Sequence, residues 1–123
     1  MAPEFSGLLI FIEDYNVQDF FNLILYFCAM NFDTFQQSLA TNTPPANSNV
    51  YLQSLWHDAK GDWEYAHTLI QDLSDKSAAW IHAYLHRKEG DVWNANYWYA
   101  KAGQRMPGYG LEQEWEELVK AML

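Results

Sequence analysis

Two glycine-aspartate pairs, Gly61-Asp62 and Gly90-Asp91, stand 29 residues apart and constrain the fold of this 123-residue chain more than any other feature. Glycine adopts the left-handed conformation that commonly ends a helix, and aspartate accepts hydrogen bonds from the first amides of the next helix. Apolar residues at helical spacing flank both pairs. Each pair therefore predicts a tight turn between two helices.

The rest of the chain after residue 49 also shows helical spacing, and no window alternates in the manner of a half-buried strand. Before it, the segment from Thr41 to Ser48 is a predicted linker, because it contains two prolines. Ser74 is expected to precede one of the helices. We predict helices near residues 30–40, 49–60, 62–73, 75–89, 92–104 and 111–122.

A shift of 29 residues superposes equivalent positions of two helix-turn-helix units. The identical pairs lie at the end of one helix, at the turn and in the first turn of the next helix: His57 with His86, Gly61 with Gly90, Asp62 with Asp91, and Ala66 with Ala95. Small residues allow two helices to approach closely. We therefore expect Ser54 to meet Ala66, and Ala83 to meet Ala95. The predicted fold is all-α, with antiparallel helix-turn-helix repeats over residues 30–123 and flanking N- and C-terminal helices.

The motif Gly90-Asp91-x3-Ala95-x3-Tyr99-x2-Ala102-x4-Pro107 resembles the tetratricopeptide repeat signature. The resemblance covers residues 79–107 well and residues 50–73 weakly. The repeat step of 29 residues is shorter than the usual step of about 34. The stretch from Trp80 to Gly103 is also similar to a family of small bacterial proteins of unknown function, which implies a fold but no activity.

The tetratricopeptide resemblance implies a protein-interaction module. Members of that family bind a protein or an extended peptide along the face formed by the first helix of each pair. That face would present Tyr51, Leu55, Asp58, Trp80, Tyr84, Arg87 and Lys88. A stack of two repeats also leaves apolar ends, which residues 30–40, residues 111–123 or a second copy of the chain would cover, so a homo-oligomer is a further expectation.

The charge of the chain limits its partners. Sixteen acidic and seven basic residues give a formal net charge of −9, which repels nucleic acid and anionic membrane surfaces. A single cysteine, Cys28, forms neither an intramolecular disulfide nor a cysteine-based zinc site. We therefore expect a soluble, cytoplasmic protein that binds neither nucleic acid nor membranes.

Residues 1–29 admit three interpretations. The apolar run from Phe20 to Met30 follows acidic residues and no basic ones, unlike a secretory signal, and its eleven residues are too few to cross a bilayer as a helix. The segment is either a helix docked on the domain, a partner-binding amphipathic segment, or an extension upstream of a natural start at Met30.

Histidines are the most specific chemical feature. His82 and His86 stand four residues apart on one predicted helix, so they project from the same face and could chelate a divalent transition metal. His57 and His67 could supply further nitrogens if the two units stack closely. A metal-binding protein or metal-dependent enzyme is therefore the alternative to a cofactor-free interaction module. The other interpretation is that these histidines are structural core residues.

The remaining polar and aromatic residues suggest no catalytic site. No nucleophile motif or phosphate-binding loop occurs, so we expect no catalytic residue. Four glutamates of the last helix are expected to form a solvated face: Glu112, Glu114, Glu116 and Glu117. Four aromatic residues near the turns form either an aromatic binding surface or core and inter-repeat packing: Trp63, Trp93, Tyr97 and Trp98. Three of them, Trp93, Tyr97 and Trp98, cannot all face inward from one helix.

Overall fold

The computed structural model describes residue 18 and residues 30–123. Residues 30–123 contain six α-helices and no strand. The helices are α1 (Phe32–Ser38), α2 (Val50–Ala59), α3 (Trp63–Ile70), α4 (Lys76–Glu89), α5 (Val92–Ala102) and α6 (Leu111–Met122). The all-α prediction is confirmed for this part of the chain. The three interpretations of residues 1–29, and Cys28, lie outside the described residues.

Both glycine-aspartate pairs form the predicted helix-helix turns. Gly61 and Gly90 have φ angles of 90° and 88°, which side chains with a Cβ rarely adopt. The carboxylate of Asp62 accepts a hydrogen bond from the Tyr65 amide at 3.0 Å, and that of Asp91 accepts one from the Asn94 amide at 3.2 Å. Each aspartate therefore satisfies an amide that the first turn of a helix leaves without an intrahelical partner.

The helix boundaries lie close to the predicted ones, with two differences. Helix α3 ends at Ile70, three residues before the predicted end. The residue that caps α4 is Asp75 and not Ser74, because the Asp75 carboxylate accepts from the Ala78 amide at 3.1 Å. The same carboxylate also accepts from the Tyr51 hydroxyl at 2.8 Å.

Small residues lie where neighbouring helices meet. The Ser54 hydroxyl of α2 donates to the carbonyl oxygen of Ala66 in α3 at 2.8 Å, and Ala83 of α4 and Ala95 of α5 share a fully buried cluster with Tyr99. Helix α4 packs against α2, α3, α5 and α6, so it is the centre of the core. Nowhere in the described residues does a helix combine the length and apolar character that a bilayer crossing needs.

The C-terminal helix α6 packs against α2 and α4, the first helix of each pair. The Trp115 indole of α6 donates to the carbonyl oxygen of Leu55 at 3.0 Å and also contacts the ring of Phe35 in α1. Leu55, Asp58 and Tyr84 were expected to be available to a partner, but all three are buried. These residues therefore do not line an open groove, because α1 and α6 pack over the face where one was predicted. Asp58 and Tyr84 line a cavity instead.

Glu114 is fully buried, so the prediction that it belongs to a solvated face is wrong. Its carboxylate accepts from Arg87 at 2.8 Å, from the Trp80 indole at 3.2 Å and from the Tyr99 hydroxyl at 2.6 Å. A buried charge persists only when it is paired and hydrogen-bonded, and three partners from α4 and α5 meet that need. The other predicted members of the face are Glu112 and Glu117, which are exposed, and Glu116, which is partly exposed.

We expect Glu114→Gln to lower the free energy of unfolding by about 3 kcal/mol, because it leaves the largely buried Arg87 guanidinium without its counter-charge. The matched control is Glu112→Gln, the same substitution at an exposed position of α6, with an expected change within about 0.5 kcal/mol. Urea unfolding of both variants measures the difference. Equal stability of the two variants would show that Glu114 does not hold α6 in place.

Candidate metal centre

Three of the four histidines converge between α3 and α4. His67, His82 and His86 each offer one ring nitrogen, and these nitrogens all lie within 4.8 Å of one another. The Nε2 atoms of His67 and His82 are 2.9 Å apart. The structure therefore brings together three of the predicted candidate ligands.

Local geometry explains this convergence. His82 and His86 lie one turn apart on α4, and their rings stack with centroids 4.9 Å apart. His67 lies in the last turn of α3, which packs against α4, and its ring meets that of His82 nearly at a right angle. The site thus bridges the second helix of the first pair and the first helix of the second pair.

His57 lies outside this group. Its ring packs edge-on against Trp56 at 5.1 Å and against Tyr65 at 4.6 Å. The position of His57 is equivalent to that of His86 in the repeat pattern. In a stack of repeats, equivalent residues lie one repeat apart along the stack, so they need not come together. Equivalence of His57 and His86 in the sequence therefore does not predict that they share a site.

Two indole rings flank the imidazoles. Trp63 stacks on His67 with ring centroids 4.9 Å apart, and Trp98 stacks on His82 at 3.9 Å. His82 and His86 are buried, whereas His67 is partly exposed. The histidines therefore lie in a largely dry environment with aromatic walls.

Burial favours the neutral form of His67 and His82. Burial and, to a smaller extent, the nearby imidazoles of His67 and His86 lower the pKa of His82 to about 3. Burial and then His86 also lower the pKa of His67, against a smaller opposing effect of Glu89 and Glu64. A neutral imidazole is the form that binds a metal.

Glu89 is a site residue that the sequence analysis missed. Its Oε2 atom lies 2.6 Å from Nδ1 of His86, three residues earlier on α4. Metal-binding histidines typically donate their second ring nitrogen to a carboxylate, which fixes the tautomer and the ring orientation. Glu89 leaves Nε2 of His86 as the nitrogen that can bind a metal. The spacing of three residues between His86 and Glu89 was the signal in the sequence that could have identified this contact.

The donor set suits a transition metal. Neutral imidazoles bind zinc, copper, nickel and iron, and zinc binds nitrogen at about 2.0–2.1 Å. Tetrahedral zinc with such bonds separates two ligand nitrogens by about 3.3 Å. The His67 and His82 nitrogens, 2.9 Å apart, would therefore have to separate by a few tenths of an ångström, which is within side-chain rotation.

The residues predicted to bind a partner are mostly engaged within the fold. Trp80 and Arg87 bind Glu114, and Tyr51 binds Asp75. The Asp58 carboxylate accepts from Lys88 at 3.0 Å and from the Tyr84 hydroxyl at 3.1 Å. These last three residues line a cavity of about 630 Å³, and the structure does not join all seven predicted residues into one open groove.

The outer side of α5 presents two exposed aromatic residues. Trp93 is 78% exposed and Tyr97 is 47% exposed, and their rings stack 6.3 Å apart. Trp63 and Trp98 are partly buried against the histidines. The prediction that Trp93, Tyr97 and Trp98 do not all face inward is confirmed.

Comparison of the chain with protein-family models, curated proteins and solved structures gave no match.

We expect the stability of chelator-treated protein to fall as the pH decreases from 7 to 4. The pKa of His82 is about 3 in the folded state and near 6.5 without its environment, so the unfolded state takes up the proton first. The contribution of His82 to the free energy of unfolding is complete above pH 6.5 and decreases below that pH by up to about 1.4 kcal/mol per pH unit. Urea unfolding across this pH range measures the slope.

His82→Gln should reduce that slope relative to the parent protein, whereas His57→Gln, at a histidine outside the cluster, should leave it unchanged. An identical pH dependence in the parent and in His82→Gln would contradict the assignment of the slope to His82.

Proposed function

We propose that this chain binds a divalent transition metal, with zinc the simplest choice, through His67, His82 and His86. The observation that carries the proposal is the approach of three ring nitrogens from two helices to within 4.8 Å. The Glu89 contact supports it because a carboxylate at Nδ1 orients the His86 ring, and the lowered pKa of His82 supports it because a neutral imidazole is the form that binds a metal.

A metal at this site would link α3 to α4 and so hold the two helix pairs together. A ligand that binds only the folded state raises the free energy of unfolding. The increase grows with the logarithm of the ratio of the ligand concentration to its dissociation constant. The expected consequence is a domain that unfolds at a higher temperature with metal than without it.

We also propose that the pairs α2–α3 and α4–α5 form antiparallel hairpins that stack like tetratricopeptide repeats. Support comes from the two glycine corners, from the small residues at each pair's contact and from the packing of α3 against α4. The proposed repeat arrangement explains why His67 of one pair faces His82 and His86 of the next.

A second candidate function is binding of a protein segment, as the tetratricopeptide resemblance implies. The observation that favours it is the cavity lined by Asp58, Tyr84 and Lys88. These residues belong to the first-helix face where partner binding was expected. We propose that a partner inserts a side chain into this cavity instead of lying along an extended groove.

The metal proposal predicts that protein purified without chelator carries about one equivalent of zinc, nickel or copper, and that zinc raises the unfolding temperature of metal-stripped protein. Elemental analysis and thermal unfolding measure these effects. His82→Gln should abolish both, and His57→Gln should retain both. Glu89→Gln should weaken zinc binding by about 10- to 100-fold, because it removes the carboxylate that orients His86.

Metal-free protein whose unfolding temperature does not respond to zinc, nickel or copper would contradict this proposal. An equal loss of bound metal in His82→Gln and in His57→Gln would also contradict it.

A further inference from the structure

The cavity between α1, α2, α4 and α6 has a polar end and aromatic walls. Its volume of about 630 Å³ is typical of a ligand pocket. At the polar end, Lys88 and the buried Asp58 carboxylate lie 3.0 Å apart and neutralise each other. Phe32, Tyr84 and Trp115 contribute aromatic surface. The cavity can therefore accommodate a long side chain with an apolar stem.

Two further carboxylates, Glu112 and Glu116, belong to the α6 side of the cavity. They stand four residues apart on one face of the helix, where like charges repel. Glu116 pairs with Lys120 at 2.6 Å, but both side chains are about half exposed, so this pair is weak. The exposed Glu112 carboxylate pairs with no cation among the described residues. A cationic ligand would relieve this repulsion.

The helix ends around the cavity add to its negative potential. Leu39 at the C-terminal cap of α1, Ala59 at the end of α2 and Lys88 in the last turn of α4 all line it. The C-terminal end of a helix carries a partial negative charge, and these three ends outnumber the two N-terminal ends at the cavity, which are those of α1 at Phe32 and of α6 at Leu111. A net charge of −9 on the whole chain likewise attracts cations and repels anions.

We propose that this cavity binds an arginine side chain of a partner protein, an assignment that rests on partner binding at the cavity proposed above. A guanidinium ion offers five donors to the carboxylates and stacks on an aromatic ring such as the Trp115 indole, which lysine does less well. The three-carbon stem of arginine would contact the apolar wall. The recognised partner segment therefore carries an accessible arginine.

An NMR titration of the full chain at low salt tests this assignment. The probes are N-acetyl-arginine methylamide, its neutral isostere N-acetyl-citrulline methylamide, N-acetyl-glutamate methylamide, and the free diamine putrescine. The arginine probe should shift the Trp115 indole resonance and the α6 amides at the cavity, and it should bind more tightly than the other three.

Glu112→Gln should weaken the binding of the arginine probe by roughly two- to fivefold. Asp72→Asn, which makes the same charge change at an exposed position outside the cavity, should not.

Equal binding of the citrulline and arginine probes would overturn the arginine assignment while leaving partner binding at the cavity in place. Tighter binding of putrescine would contradict a protein as the source of the cation. If none of the four probes shifted the cavity resonances, both the assignment and partner binding at this cavity would fail.

Discussion

Helix α4 packs against four other helices, and its buried polar side chains must find partners inside the protein. Removing a polar group from water without a new hydrogen bond costs free energy, and an unpaired charge costs much more. On α4, His82 meets His67, Arg87 meets Glu114, and Lys88 meets Asp58. Every buried side-chain nitrogen and oxygen of the described residues has a hydrogen-bond partner. The partners of α4 determine how α2, α3 and α6 are positioned around it.

Both candidate sites follow from this arrangement. His82 and His86 project from one side of α4, whereas Tyr84 and Lys88 project from roughly the opposite side, as 3.6 residues per turn requires. The histidine cluster therefore lies between α4 and α3, and the cavity lies where α4 meets α1, α2 and α6. A change at one site could reach the other through α4 or through the packed pair of α2 and α3, since α2 lines the cavity and α3 carries His67. Helix α4 thus carries residues of both candidate sites without sharing any residue between them.

Local signals in the sequence predicted much of the fold and part of the site. The two glycine corners, the capping aspartates and the pair His82 and His86 depend on interactions within a few residues, so they could be identified. The burial of Glu114 could not, because four similar glutamates occupy the start of α6 and only the position of Arg87 singles one out. The hydrogen bond from Trp115 to the carbonyl oxygen of Leu55 joins residues sixty positions apart, so no local signal indicates it. The separation of His57 from the cluster likewise depends on tertiary packing.

X-ray absorption at the zinc edge of zinc-loaded protein reports whether three imidazoles bind one zinc ion, as we propose. We expect a first shell with three imidazole nitrogens at about 2.0–2.1 Å, and fewer of them in His67→Gln. A first shell with a sulfur at about 2.3 Å, as Cys28 would supply, or one made of oxygen alone, would contradict it.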